Sequence, residues 1–264
     1  MKTIIFDGKA FAKKREEELA KKIVKLKKHP VMATIIVGEL PASRLYVDLK
    51  RQAAERVGAE MDVYEYHAII SHDELVSRMN HLNKDKTIHG MMIQLPLPET
   101  LKDKTHDIIH HIPANRDVDG LRDNSPYVHA TARAVLSILA EARKKVKIAN
   151  DDYVVVIGAR GMVGRSVVSE LTKMGFEVGT ELDEAKNAKV LISATGKPEM
   201  IGADNVKNGA IVIDVGSPRG DVDPSASLAA SFFTPVPGGV GPVTVVSLLE
   251  NLAEAASWLG SKRP

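Results

Sequence analysis

The sequence contains no cysteine. That excludes disulfides, thiol nucleophiles and cysteine-based zinc sites. It also lacks a charge excess: the formal net charge is +2, with 27% charged residues. Such balance gives no bulk electrostatic surface for nucleic acid or anionic lipid. No apolar run approaches the length of a membrane span. The first apolar run, Thr3-Ile-Ile-Phe6, is broken by Asp7 and is too short for the core of a secretion signal. A cytoplasmic protein without nucleic-acid or membrane partners is therefore expected. What is present is 264 residues with 44% apolar content, enough for one large or two ordinary domains.

The pattern along the chain is that of an α/β protein. Residues 9–28 are rich in Lys and Glu, with Leu19, Ile23 and Leu26 at helical spacing, and His29-Pro30 ends them. A buried strand is expected over 33–37, a helix over 42–57 ended by Gly58, and a strand over 61–66. A helix over 72–82 and a strand over 88–94 follow. This alternation belongs to a parallel sheet, in which functional groups collect beyond the carboxyl ends of the strands. Gln94 lies at such an end, and Pro96 and Pro98 turn the chain out of the sheet.

Within the helix over 42–57, Tyr46 and Lys50 are four residues apart and share a face, pairing an aromatic ring with a movable amine. His106 and His110 are also one helical turn apart, a spacing that can bind metal. No third ligand or HExxH pattern accompanies them, so the pair reads as helix surface and no metal is expected. Asp117 and Asp119, just before Gly120, fit either a hydrogen-bonded turn or a polar recognition point.

A helix over 132–142 and a charged stretch over 143–152 mark the best domain boundary by composition. The apolar run 153–157 then enters Gly158-Ala159-Arg160-Gly161-Met-Val-Gly164. A strand, a glycine turn and a helix suit a pyrophosphate held by backbone N–H groups at a helix N-terminus. The spacing is GxxGxxG, and two further buried strands over 189–193 and 210–215 supply the context of a doubly wound nucleotide-binding domain. Glu181, Asp183 and Glu184 after the next strand lean toward NAD, while Arg160 leans toward NADP. Near the C-terminus, the block 235–244 is rich in proline and glycine, a rigid loop able to press backbone against a flat ligand. A last helix follows, with Val245, Leu248, Leu249, Leu252, Ala256 and Leu259 as its apolar stripe.

Several separated blocks resemble the bifunctional methylenetetrahydrofolate dehydrogenase/methenyltetrahydrofolate cyclohydrolase family. They are Phe6-Asp-Gly-Lys9, Tyr46-Val-x-x-Lys50, Gly90-Met-Met-Ile-Gln-Leu-Pro-Leu-Pro98, Asp117-Val-Asp-Gly120, Val163-Gly-Arg165, Ile213-Asp-Val-Gly216 and Thr234-Pro-Val-Pro-Gly-Gly-Val-Gly-Pro242. The resemblance implies an N-terminal α/β catalytic domain plus a Rossmann-like NAD(P)-binding domain, with a cleft between them. The catalytic domain would span residues 1–130, joined by the C-terminal helix over 243–264, and the cofactor domain 131–242. It implies a homodimer that oxidises 5,10-methylenetetrahydrofolate with NADP, or NAD, and hydrolyses the methenyl product to 10-formyltetrahydrofolate. That is one-carbon metabolism of the kind that serves purine biosynthesis.

Residue by residue, the resemblance makes Lys50 the proton-handling group, Gln94 its orienting partner, Asp119 the acceptor for the pterin edge and Tyr46 a stacking platform. Ile93, Leu95, Pro237, Gly238, Gly239, Val240 and Gly241 would line the folate. Gly158, Ala159, Arg160, Gly161, Gly164, Thr195, Gly196, Ser217 and Thr244 fall at cofactor positions. The chain departs from the family at His129-Ala-Thr-Ala132, where relatives usually carry proline-cysteine-threonine-proline. It also has a shortened loop after Val178, and Ser217-Pro218 in place of isoleucine-asparagine. Three other readings compete: a dehydrogenase without useful cyclohydrolase activity, a non-catalytic folate- or nucleotide-binding protein on the same fold, and a shikimate-type dehydrogenase. The intact Lys50, Gln94 and Asp119 set speaks against the second. The Pro-Gly-Gly-Val-Gly-Pro block speaks against the third.

Overall fold

A computed structural model describes residues 2–149 and 152–260. In chain order, β1 (Ile4–Ile5) leads into α1 (Gly8–Ile23), β2 (Val31–Val37), α2 (Pro41–Val57), β3 (Glu60–Tyr66) and α3 (His72–Leu82). Next come β4 (Gly90–Ile93), α4 (Glu99–Lys102), α5 (Thr105–His110) and α6 (Ala130–Arg143). The remainder is β5 (Val154–Ile157), α7 (Met162–Lys173), β6 (Val178–Gly179), β7 (Val190–Ser193), β8 (Ile211–Asp214), β9 (Phe232–Phe233) and α8 (Val240–Gly260). No described helix is long and apolar enough to cross a membrane.

The chain folds as two compact units, Lys14–Ala130 with Leu248–Pro264, and Met1–Lys13 with Thr131–Ser247. The charged stretch over 143–152 includes Asn150 and Asp151, which lie outside the described residues, as do residues 261–264 and the side chain of Leu259.

In the first unit, β2 is central in a three-stranded parallel sheet ordered β3-β2-β4. β2 is apolar throughout except for Thr34, because both of its faces are covered, as expected for a parallel sheet. On one face, Leu75 and Met79 of α3 pack with Ile108 and Ile109 of α5 over Ile35 and Met91. α2 ends at Gly58 in the left-handed conformation (φ 81°), whose N–H returns to the last turn of the helix. α3 starts at Ser71, whose hydroxyl accepts from Glu74 N at 3.2 Å.

The second unit carries a six-stranded, all-parallel sheet ordered β1-β9-β8-β7-β5-β6. β5, β7 and β8 are wholly buried four-residue runs. The strands β1 and β9 carry no readable pattern of their own. They are two residues each and exist by pairing Ile4 with Phe232 and Ile5 with Phe233. α1 stops at Ile23, short of the predicted residue 28, because Lys25 N and Leu26 N bond carbonyls three residues back and wind the chain out of the helix.

Candidate active site

α2 buries Val47, Ala53, Ala54 and Val57 and exposes Arg44, Asp48 and Arg51. Lys50 falls on the buried face and is only 9% exposed, an unusual place for an ammonium. Its Nζ donates to Gln94 Oε1 at 2.9 Å and lies 3.8 Å from the Met92 thioether. Gln94 follows β4 directly, and its backbone N–H extends the ladder to Ile35 O at 2.8 Å. Its side-chain amide donates to Leu95 O at 2.7 Å, which leaves the oxygen turned to the amine. Burial pushes the Lys50 amine below the ordinary lysine range, and the carboxylate of Asp119 partly offsets this. The outcome is an amine closer to neutrality than a surface lysine, in reach of an acceptor that fixes its direction.

The two aspartates have separate places. Asp117 is fully buried and accepts from Leu121 N at 3.2 Å and Arg122 N at 2.9 Å, so it builds the turn. Its burial pushes the carboxyl up, against those hydrogen bonds. Asp119 is half-buried and acts electrostatically on Lys50. Its backbone is pinned: Ala130 N donates to Asp119 O at 3.0 Å, and Asn251 Nδ2 bridges Val118 O and Val128 O at 2.8 and 3.0 Å. The same pinning places His129, which is buried, beside this group. Burial lowers its pKa, Asp119 and Asp117 raise it, and Lys50 lowers it. Reading the sequence singled out no role for His129; its only signal was a polar residue just before an apolar helix.

Tyr46 is half-buried one turn before Lys50 on α2. Ile93 is 1% exposed and its side chain belongs to the core, with Leu95 packed against that core. Thus Lys50, Gln94, Asp119 and Tyr46 all fall in the first unit, while Pro237 to Gly241 and the predicted cofactor residues fall in the second.

In the second unit, Gly158 has φ 89°, and a Cβ there would meet Ala194 O at 2.3 Å. A Cβ on Gly164 would meet Gly158 O at 2.2 Å, so the turn and the first turn of α7 close on each other only as glycines. Gly161 is the N-cap of α7 and brings no side chain to its first amides. This is a cradle suited to a phosphate anion. Ala159 is half-buried in the turn and Arg160 is exposed on it.

Two of the three acids beyond β6 are already committed, and Asp183 between them is exposed. Glu181 and Glu184 form a reciprocal capping box, and Glu184 accepts from Tyr153 Oη at 2.8 Å and from Thr180 N and Glu181 N at 2.9 Å. These bonds hold the Glu184 carboxyl below its usual range, and the same contact pushes the Tyr153 hydroxyl up to about 12. Their lean toward NAD is correspondingly weak.

Thr195 N and Gly196 N both donate to Asp221 Oδ2, at 2.6 and 3.3 Å, and Ser193 Oγ joins them at 2.9 Å. Asp214 in turn accepts from Gly216 N at 2.8 Å, Asp221 N at 3.1 Å and Val222 N at 3.0 Å. Two buried carboxylates therefore shape the loops at the carboxyl edge of this sheet. Asp214 stood in a quoted motif; Asp221 had no local signal. Ser217 is exposed, and the Thr244 hydroxyl bonds back to Val240 O at 3.3 Å within α8. In the proline-glycine loop, Gly239 N closes on Pro235 O at 2.8 Å, and a groove beside it is lined by Phe6, Asp7, Lys9, Pro235 and Pro237.

A Rossmann-type unit with a glycine cradle, and an α/β unit with a buried lysine–amide pair, define a nicotinamide-dependent α/β enzyme. The model of the tetrahydrofolate dehydrogenase/cyclohydrolase catalytic domain matches residues 6–119, and that of its NAD(P)-binding domain matches residues 129–259. The chain belongs to the tetrahydrofolate dehydrogenase/cyclohydrolase family. It is 38% identical to the bifunctional protein FolD of Halalkalibacterium halodurans, over 97% of this chain and 99% of that one. Among solved structures, the bifunctional FolD of Campylobacter jejuni is 34% identical with TM-score 0.88, covering 96% of this chain and 98% of the other. The Trypanosoma brucei enzyme, solved with NADP cofactor and an inhibitor, is 30% identical with TM-score 0.89, over 98% of both chains.

Proposed function

We propose that this chain oxidises 5,10-methylenetetrahydrofolate to the 5,10-methenyl form with NADP and hydrolyses that product to 10-formyltetrahydrofolate, with Lys50 handling the protons. The observation that carries the reading is the buried Lys50 amine donating to Gln94 Oε1 at 2.9 Å with Asp119 acting on it. Family membership and the bifunctional relatives support both activities, and the NADP-bound relative supports the cofactor.

NADP, when bound, would supply the acceptor for the hydride lost from the bridging carbon. Gly158, Gly161 and Gly164 would hold its pyrophosphate, with Ala159 and Arg160 on the same turn and Thr195, Gly196, Ser217 and Thr244 on the neighbouring segments. Loss of hydride leaves a delocalised cation that water attacks. The Lys50 amine, its pKa lowered by burial, takes a proton from that water and returns one to the departing ring nitrogen, while the remaining hydroxyl proton leaves to solvent as the formyl C=O forms. Gln94 keeps the amine aimed. Asp119 accepts from the paired N–H donors of the aminopyrimidine edge, which suits a carboxylate. Tyr46 stacks on the substrate's aromatic portion. Backbone at Ile93 and Leu95, and the loop from Pro237 through Gly238, Gly239, Val240 and Gly241, supply flat contact surface.

The family resemblance also supports a cytoplasmic homodimer. The direct test is to mix purified protein with methylenetetrahydrofolate and either NADP or NAD and to follow reduced nicotinamide. Turnover with NADP is expected; no turnover with either cofactor would remove the dehydrogenase from the reading.

A further inference from the structure

We propose that His106, His110 and Asp123 form a site for a divalent first-row transition ion, with Zn²⁺ as the test case. The site lies on the first unit and is independent of the chemistry assigned to Lys50. α5 sets His106 and His110 one turn apart, with ring centroids 4.2 Å from each other. Asp123 arrives from the loop beyond Gly120, its Oδ2 4.0 Å from His106 Nε2. One ligand atom from each of the three residues lies within 4.8 Å of the others. Tetrahedral zinc with bonds of about 2.0–2.2 Å needs its ligand atoms roughly 3.3–3.5 Å apart. His106 and Asp123 are each 79% exposed, so small rotations close that difference without disturbing the core.

Two features prepare the site. First, His110 Nδ1 meets His106 O at 2.8 Å. A carbonyl can only accept, so Nδ1 carries a proton and Nε2 is the ring nitrogen left for a metal. A metal-binding histidine is commonly oriented this way, with its other ring nitrogen on a carbonyl. Second, the residue before Asp123 ties its loop to the histidine helix. Arg122 Nη1 donates to His110 O and, at 2.6 Å, to Ile112 O, while Arg122 N donates to Asp117 Oδ2 at 2.9 Å. The helix and the loop are thus held together by protein bonds alone, which reduces the ordering cost of binding.

The donor set selects the ion. Two imidazoles and one carboxylate suit zinc, cobalt or nickel, whereas calcium and magnesium take oxygen cages. A fourth position remains for water. The neighbouring histidine pair differs: His72 spends both ring nitrogens on carboxylates, Asp73 at 2.9 Å and Asp107 at 2.7 Å. That arrangement is an ion pair rather than a ligand set.

The full chain is titrated with Zn²⁺ by calorimetry and with Co²⁺ by visible absorption. One ion per chain is expected to bind, and H106A and D123N should each weaken it at least about tenfold. H111A should bind as the parent does. Methylenetetrahydrofolate oxidation should be unchanged in all three variants, which shows that they are folded. Absence of saturable binding overturns the proposal. So does binding that H106A and D123N leave intact, or that H111A alone removes.

Discussion

Lys50 and Gln94 come from different elements, the buried face of α2 and the end of β4, and meet at 2.9 Å through a side-chain hydrogen bond. The amide oxygen is directed by its own NH₂ group on Leu95 O. Removing the amide frees the amine to turn away. Gln94→Ala is therefore expected to lower kcat for methenyl hydrolysis by up to about 100-fold, with a smaller change in KM. An unchanged kcat would mean that the pair does not act as a unit.

The buried amine has a stability cost with a definite sign. Its folded pKa lies below the ordinary lysine value, so the unfolded chain binds more protons between the two values. Stability contributed by this group therefore rises with pH across that window, and the cost is full below the folded pKa. Lys50→Met removes the cost and should stabilise the protein at neutral pH by about 1 kcal/mol, or roughly 2–4 °C in Tm. The gain should shrink as pH approaches the ordinary lysine range. Thermal melts of both proteins across pH check this; a lower Tm for the variant at neutral pH would contradict it.

Asp117 and Asp119 should separate cleanly. Asp117→Ala strands the Leu121 and Arg122 amides and should cost about 1–3 kcal/mol in chemical denaturation. Asp119→Ala should leave stability nearly unchanged and raise KM for the folate by about tenfold or more. Equal effects of the two changes on stability would show that both carboxylates merely build the turn.

Glu181 and Glu184 are tied into their capping box, which leaves the exposed Asp183 as the one acid of the three outside it, whereas Arg160 is exposed on the glycine turn itself. NADP should be preferred over NAD, and Arg160→Ala should raise KM for NADP about tenfold while leaving that for NAD nearly unchanged. Steady-state kinetics with both cofactors decide it. A parallel rise for both would place Arg160 away from the ribose phosphate.

Much of this was legible in the sequence where local chemistry and periodicity agreed. The helix expected over 72–82 matches α3 to the residue, where Ser71 caps its start, and the helix expected over 42–57 ends as expected because Gly58 stops it. Tyr46, Lys50 and Gln94 stood out by helical spacing and by position after a strand. The rest depends on contacts distant in the chain. β1 and β9 are too short for any pattern and exist by mutual pairing. His129 is drawn in by Asp119 and Asn251, and Asp221 by the ends of β7 and β8. Asp123 joins His106 and His110 only because Arg122 holds its loop on α5, so the spacing of the two histidines could not announce a third ligand.

The most direct measurement is the rate at which Lys50→Met hydrolyses methenyltetrahydrofolate, followed by loss of the methenyl absorbance. Met keeps the bulk and loses the amine. Proton handling by Lys50 requires a fall of about 100-fold or more in a protein that still melts cooperatively. Hydrolysis at the parental rate would contradict the role assigned to Lys50.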